Sequence, residues 1–193
     1  MNVKKEVRIL GIDDAPFTKG KDKEVLVIAT IFRGGEFLDG VLRTHVTCDG
    51  NDATDKIVEM INRSRHKPQL RVVMTDGIAL GGFNLLDIHE IFRRTQLPVV
   101  IVMRKYPDLE KIREALKKFE DWEERWEKVV RAGKIHKFKV GTKEIYYQFV
   151  GLKKEEVERI LKLTLKRGLV PEPLRVAHLI ATAIIFGESR GRA

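Results

Sequence analysis

Three β-rich segments follow one another at the start of the chain, and their short connections restrict the fold more than any other feature. The segments cover residues 7–14, 24–33 and 37–47, and a Gly34-Gly35 turn separates the last two. Strands with such short connections pair antiparallel, because a parallel pair needs a crossover of about a dozen residues or more. The sequence therefore predicts a three-stranded antiparallel meander.

After Asp52 the spacing of apolar residues changes from that of strands to that of helices. Asp52 is a natural N-cap for a helix over DATDKIVEMINRSRH. A strand at 70–76, a short helix at 86–94 and a strand at 98–105 follow. Strands that follow crossover helices run parallel to their neighbours. The order β-β-β-α-β-α-β thus predicts an α/β fold with a mixed sheet, a meander followed by two parallel strands.

Residues 106–193 are expected to pack as a helical extension on the 1–105 core, so that residues 1–193 form a single domain. The predicted elements are a long amphipathic helix over 108–131, a small hairpin around Gly141-Thr142, a helix over 153–167 and a last helix that begins after Pro171.

The composition allows a buried core and favours an anionic partner. The hydrophobic fraction is 43%, the net charge is +9 and the pI is about 9.7. Such a charge is compatible with DNA or RNA binding, and a charge-rich surface adapted to heat is the open alternative. The single cysteine, Cys48, excludes an internal disulfide and a Cys-rich zinc site. We expect a cytoplasmic protein without membrane contact, since no signal peptide or long apolar segment is visible.

Aspartates end the first and fourth predicted strands, in LGIDD and VMTDG. If these strands pair in parallel, Asp13 and Asp76 meet at one sheet edge, because neighbouring strands lie about 4.8 Å apart. Alternation places Asp13 and Asp14 on opposite faces, so only one of them should face a shared site. The third strand ends in TCDGND, which offers Asp49 and Asp52 at the same edge, although helix capping is the favoured role for Asp52.

Carboxylate oxygens in this arrangement suit Mg²⁺ or Mn²⁺, and the candidate ligands are Asp13, Asp49, Asp52 and Asp76. The loop DGIALGGFN after the fourth strand contains Gly77, Gly81 and Gly82, whose small size would let the backbone approach a substrate. A flexible connection is the alternative for this loop. His178, in RVAHLIATAI, is by residue pattern alone either a core residue or a functional one.

Several common catalytic motifs are absent from the sequence. GxGxxG and GxxxxGK[ST] do not occur, so dinucleotide and P-loop nucleotide binding have no support. GxSxG, HExxH and CxxC are also missing.

Four segments together resemble the endonuclease dU family, which is similar to endonuclease V and has a ribonuclease H-like fold. They are GIDDAPF, VTCDGNDATDKI, VVMTDGIALGGFNLLDI and PEPLRVAHLIATAI, in the family's order. The resemblance implies metal-dependent cleavage of DNA that contains deaminated bases, deoxyuridine in particular. It implies catalytic roles for Asp13, Asp76 and His178, with Asp49, or Asp52 in its place, as a further metal ligand.

Two departures from endonuclease V concern the second acidic segment and lesion recognition. Endonuclease V has a glutamate where this chain offers aspartates, and its aromatic-proline wedge has no clear counterpart in FLDGVLRTHV. The mode of lesion recognition, the choice between DNA and RNA, and the oligomeric state therefore stay open. The rival interpretations are a non-catalytic nucleic-acid-binding protein of the same fold and an enzyme that acts on free nucleotides.

Overall fold

The computed structural model describes residues 3–190, so residues 1, 2 and 191–193 of the predicted domain lie outside the described range. Within that range a seven-stranded mixed sheet has the order β3-β2-β1-β4-β7-β9-β8, and β5 and β6 form a separate hairpin. The strands are β1 (Arg8–Asp14), β2 (Glu24–Arg33), β3 (Phe37–Thr47), β4 (Val72–Asp76), β5 (Ala79–Leu80), β6 (Asn84–Leu85), β7 (Val99–Met103), β8 (His136–Val140) and β9 (Lys143–Val150).

Helices cover both faces of the sheet. They are α1 (Ala53–Arg63), α2 (Ile88–Thr95), α3 (Leu109–Leu116), α4 (Trp122–Arg131), α5 (Lys154–Thr164) and α6 (Glu172–Phe186). α1 and α2 pack on one face, and α5 and α6 pack on the other. No helix among the described residues is both long and apolar enough to cross a bilayer.

The predicted pairing of the five core strands, β1 to β4 and β7, is confirmed. β1, β2 and β3 form the antiparallel meander, and β4 pairs in parallel with β1 on one side and with β7 on the other. Ile12 lies beside Thr75 in this register. The following residues, Asp13 and Asp76, therefore lie at the same height where the two strands end.

Helix α6 packs so closely on β1 that only glycine fits at one position. A Cβ atom on Gly11 would overlap both the side chain and the backbone of Pro173. The hydroxyl of Thr30 on β2 donates to the Pro173 carbonyl at 2.6 Å. These contacts fix the start of α6 against the sheet and bring His178, about one and a half turns further on, above the end of β1.

Three elements differ from the prediction. The helix predicted over 108–131 is wrong: the chain turns at 117–121, where the Phe119 amide donates to the Leu116 carbonyl at 2.9 Å, and α3 and α4 are separate. The hairpin of β8 and β9 extends the main sheet, because β9 pairs antiparallel with β7. The loop at 77–85 contains the small hairpin of β5 and β6.

Candidate functional site

The carboxyl ends of β1 and β4 open into a cavity of about 500 Å³. Such edges are where ligands bind in many open α/β sheets. Its walls combine three carboxylates with one histidine and one arginine, and the lining residues are Asp13, Asp14, Ala15, Pro16, Phe17, Asp76, Arg104 and His178. The structure therefore brings together Asp13, Asp76 and His178, which were predicted as catalytic residues.

Asp13 is the most buried carboxylate of the cavity, with 6% of its surface exposed. Its Oδ1 accepts the Asp14 amide at 3.0 Å, and its Oδ2 lies 2.9 Å from Nδ1 of His178. This hydrogen bond raises the pKa of His178 above its usual 6.5. The Asp13 carboxylate thus holds the proton on Nδ1 and orients the ring.

Among the carboxyl groups that line the cavity, Asp76 and Asp14 have a pKa well above the usual 3.8. Burial and then the charge of Asp13 raise the pKa of Asp76 to about 6, against the weaker opposing charges of Arg104 and His178. Burial also raises the pKa of Asp14 to about 6, although its Oδ2 accepts the Gly81 amide at 2.7 Å. Negative charges crowded into a partly dry cavity raise one another's pKa and favour a bound cation.

The expectation that only one of Asp13 and Asp14 faces the site is wrong, because both line the cavity. Asp14 is the last residue of β1, so its side chain lies where the sheet ends and the two faces open into one space. Its hydrogen bond to Gly81 directs the carboxylate toward the hairpin of β5 and β6.

Asp52 is used to tie chain segments together. Its carboxylate accepts the amide and hydroxyl of Thr47, at 3.0 and 2.9 Å, and the side-chain amide of Asn84 at 2.6 Å. Asp52 precedes α1 without capping it through its side chain. The cap is supplied by Oδ1 of Asn84, which accepts the Ala53 amide at 2.9 Å. The capping role expected for the Asp52 side chain is therefore wrong.

Asp49 also forms a hydrogen bond with the β5–β6 hairpin. Its Oδ1 accepts the Phe83 amide at 2.9 Å, and its Oδ2 lies 2.7 Å from Nζ of Lys19. Neither Asp49 nor Asp52 is among the residues that line the cavity. Both were predicted as metal ligands together with Asp13, and the structure instead engages their oxygens in hydrogen bonds with neighbouring segments.

The three glycines predicted to contact substrate occupy different places. Gly77 lines a second cavity of about 670 Å³, which shares Asp76 and Arg104 with the first cavity and adds Met103, Lys105 and Leu169. Gly81 donates its amide to Asp14. Gly82 has a φ of +92°, and a Cβ atom there would overlap the carboxylate of Asp49. Gly81 and Gly82 thus shape the hairpin, whereas Gly77 lines the second cavity.

The carboxylates of the first cavity fit a hard divalent cation in part. Among residues 3–190, no three His, Cys, Asp or Glu side chains are grouped closely enough to form a protein-only metal site. Mg²⁺ commonly binds through one or two carboxylates and completes its shell with water and substrate phosphates. Asp13 and Asp76 are the residues that could supply the oxygen donors of such an open site.

Arg104 is a cavity residue that the sequence prediction missed. It follows β7, whose Val102 is the parallel partner of Asp76. The strand-end reasoning that selected Asp13 and Asp76 applies equally to the third parallel strand, so this signal was present in the sequence.

The mixed sheet with this edge site is a ribonuclease H-like architecture, as predicted. An endonuclease V from Ciona intestinalis, solved with a 24-mer DNA that contains an inosine followed by a ribo-adenosine, superposes with a TM-score of 0.56. The two sequences are 14% identical, and the match covers 89% of this chain and 82% of the other.

Residues 5–185 match the family model described as Endonuclease dU. A UPF0215 protein of Methanothermobacter thermautotrophicus is 51% identical over 192 residues, covering 99% of this chain and 94% of the relative. A crystal structure of an Archaeoglobus fulgidus protein superposes with a TM-score of 0.85 at 42% identity, covering 94% of this chain and 99% of the other. The chain belongs to the Endonuclease dU family, and the predicted family is confirmed.

Proposed function

We propose that the protein is a metal-dependent endonuclease that cleaves DNA containing deaminated bases, deoxyuridine first among them, and so acts in DNA repair. The observation that carries this proposal is the meeting of Asp13, Asp76, His178 and Arg104 around one open cavity. Family membership supports a nuclease, and the cavity contains the charge types that phosphodiester hydrolysis uses.

Asp13 and Asp76 are the residues that would hold Mg²⁺ or Mn²⁺. A bound divalent ion supplies a polarised water and offsets negative charge on the phosphate during cleavage. The crowded carboxylates support this assignment. Burial and the repulsion from Asp13 raise the pKa of Asp76 to about 6, and a bound cation would offset both effects.

His178 has the position of a group that handles a proton. Asp13 binds its Nδ1 at 2.9 Å, which leaves Nε2 as the ring nitrogen available to substrate or water in the cavity. Arg104 brings positive charge to the same cavity and would bind a phosphate oxygen. Together they would orient the phosphodiester and move one proton.

The second cavity is suited to the damaged base. It joins the first cavity through Asp76 and Arg104, and its Met103 and Leu169 add apolar surface beside Gly77. Enzymes that recognise a single altered base commonly rotate it out of the stack into such a pocket. A base held there would place its own phosphate near the carboxylates.

The direct test is cleavage of end-labelled duplexes that contain one uracil, inosine or abasic site, each beside an undamaged duplex of the same sequence. We expect Mg²⁺-dependent nicking of the uracil duplex, and loss of at least a hundredfold in Asp13→Asn and Asp76→Asn, a typical magnitude for groups that stabilise the transition state. Asp108→Asn is the matched control, because Asp108 is an exposed carboxylate that caps α3.

Equal nicking by wild type and Asp13→Asn would assign the activity to a contaminant and refute the proposal. DNA binding without cleavage, and without any requirement for Mg²⁺, would instead support the non-catalytic binding protein. Cleavage of monophosphates in preference to duplex DNA would support the enzyme of free nucleotides.

A further inference from the structure

Two lysines from distant parts of the chain meet at an aromatic ring outside the catalytic cavity. Lys19 Nζ lies 5.2 Å from the centroid of the Phe83 ring, and Lys118 Nζ lies 4.3 Å from it. Both ammonium groups therefore lie near the same ring. Lys19 belongs to the loop after β1, and Lys118 belongs to the turn between α3 and α4.

The surroundings leave this lysine pair, Lys19 and Lys118, with an excess of positive charge. Asp49 is the carboxylate in contact with Lys19, and one of its oxygens already accepts the Phe83 amide. Lys118 is exposed, and the carboxylate whose charge acts on it is the same Asp49. Two neighbouring ammonium groups repel each other, so a pair of this kind favours an anion that binds both.

The ring beneath the lysine pair is held rigidly. The buried guanidinium of Arg125 donates to the carbonyls of Asp49, Gly50 and Phe83, at 3.0, 2.9 and 2.7 Å. Phe83 also packs against Phe119 at a centroid distance of 5.8 Å. The site is therefore preorganised, since the aromatic support does not have to be ordered when a ligand binds.

The lysine pair adjoins the catalytic cavity. Phe17, two residues before Lys19, lines that cavity and lies close to Gly82 of the β5–β6 hairpin. Gly81 of the same hairpin is bound to Asp14 at the cavity wall. A strand whose phosphate is in the cavity could therefore continue across Phe17 toward Lys19 and Lys118.

We infer that Lys19 and Lys118 bind a backbone phosphate of the nucleic acid strand next to the one in the catalytic cavity. This inference rests on the proposed function for its ligand and names a contact that positions the strand. Ammonium groups suit phosphate as point charges, and contact with an aromatic face limits their mobility. The contact is independent of base identity, so it contributes to affinity and register but not to the choice of lesion.

The test measures binding of a fluorescent uracil duplex in EDTA, where cleavage is prevented, between about 50 and 200 mM KCl. Each neutralised phosphate contributes about 0.9 to the slope of log K against log salt, so Lys19→Gln/Lys118→Gln, which removes one phosphate contact, should reduce the slope by about 1. Lys19→Arg/Lys118→Arg should retain the wild-type slope. Lys134→Gln/Lys139→Gln, which removes two exposed lysines near the β8–β9 hairpin, is the matched control and should change it little.

The outcomes separate this inference from the proposed function. A wild-type slope in Lys19→Gln/Lys118→Gln, in a protein that cleaves uracil DNA, would overturn the lysine pair alone. A reduced slope without any cleavage by wild type would support the lysine pair and refute the nuclease. Inorganic phosphate, added at constant ionic strength, tests whether the lysine pair binds free phosphate instead of DNA. The inference would also be overturned if phosphate stabilised wild type while Lys19→Gln/Lys118→Gln kept the wild-type slope for DNA.

Discussion

Replacing Asp76 by asparagine should stabilise the metal-free protein near neutral pH. Burial and the charge of Asp13 raise the pKa of this carboxyl from 3.8 to about 6, which means that folding disfavours its ionised form. Asparagine keeps the shape and removes the charge. The substitution should therefore increase the free energy of unfolding while abolishing cleavage, the combination typical of a residue kept for function at the expense of stability.

The sign and size of the effect follow from linkage between ionisation and folding. A carboxyl whose pKa is raised on folding contributes favourably below pH 3.8, and this contribution is lost as the pH rises through about 6. The shift corresponds to about 3 kcal/mol once the group is fully ionised. The gain from Asp76→Asn should thus be absent near pH 4 and reach about 2–3 kcal/mol above pH 7.

Thermal and urea unfolding in EDTA at about pH 4 and pH 7.5 measure this gain. At the higher pH we expect the Tm to rise by about 4–12 °C, since 1 kcal/mol corresponds to about 2–4 °C at this chain length. Asp108→Asn is the matched control, because a hydrogen bond from the Lys111 amide lowers the pKa of Asp108. Folding therefore favours the ionised form of Asp108, and its loss should decrease the stability at the higher pH. An equal or lower Tm for Asp76→Asn at the higher pH would refute the reasoning.

Adding Mg²⁺ to the same samples tests whether the carboxylate binds the ion. A ligand that binds only the folded state stabilises it by about 2.7 kcal/mol at a concentration one hundred times its Kd. Wild type should gain stability with Mg²⁺, and Asp76→Asn should gain little. Equal gains in both proteins would place the ion elsewhere.

Three further changes probe the site and its support. Asp13→Asn should lower the pKa of His178, because the hydrogen bond with the Asp13 carboxylate raises that pKa. NMR titration of the imidazole ring measures the change, and an unchanged pKa would contradict the pairing. Gly11→Ala should cost about 1–3 kcal/mol in urea unfolding through overlap with the backbone of α6, and a neutral effect would contradict that packing. Arg125→Met should cost about 2–4 kcal/mol, because it leaves three carbonyl groups without their donor, and should speed hydrogen exchange at the Phe83 amide; unchanged exchange would show that the hairpin is held by other contacts.

The strand pairing of the core was predictable because local features determine it. Short turns require antiparallel neighbours, and a change of period reveals the crossover helices. The single helix over 108–131 was a wrong prediction because apolar residues continue through its middle at helical spacing. The break depends on Phe119, which contacts the guanidinium of Arg125 in α4 and the ring of Phe83, and the contact with Phe83 joins distant parts of the chain. Tertiary packing of this kind leaves no periodic signal.

The site was predictable only as far as strand ends could locate it. Asp13 and Asp76 follow from two parallel strands of known order, whereas His178 required the family resemblance, since it reaches β1 from a helix 165 residues away. Asp49 and Asp52 could not be separated from metal ligands by sequence alone. Their hydrogen bonds depend on the position of the β5–β6 hairpin, which no local sequence pattern predicts.

The acidic residues at this sheet edge divide into two groups, and the division explains how the site tolerates its charge. Asp14, Asp49 and Asp52 each accept a backbone amide, from Gly81, Phe83 and Thr47. These bonds lower the pKa of Asp49 and Asp52, whereas burial still raises the pKa of Asp14 to about 6. Asp76 accepts no such bond from the described residues, and the charges of Arg104 and His178 oppose the effects of burial and Asp13 on its pKa. The first three aspartates hold the β5–β6 hairpin in place through Gly81, Phe83 and Asn84, with or without a ligand in the cavity. Burial and Asp13 disfavour the charge of Asp76 more than Arg104 and His178 favour it, and such a group binds a cation strongly because binding removes an existing cost. The stability of the empty site and its affinity for metal should therefore change in opposite directions when Asp76 is altered.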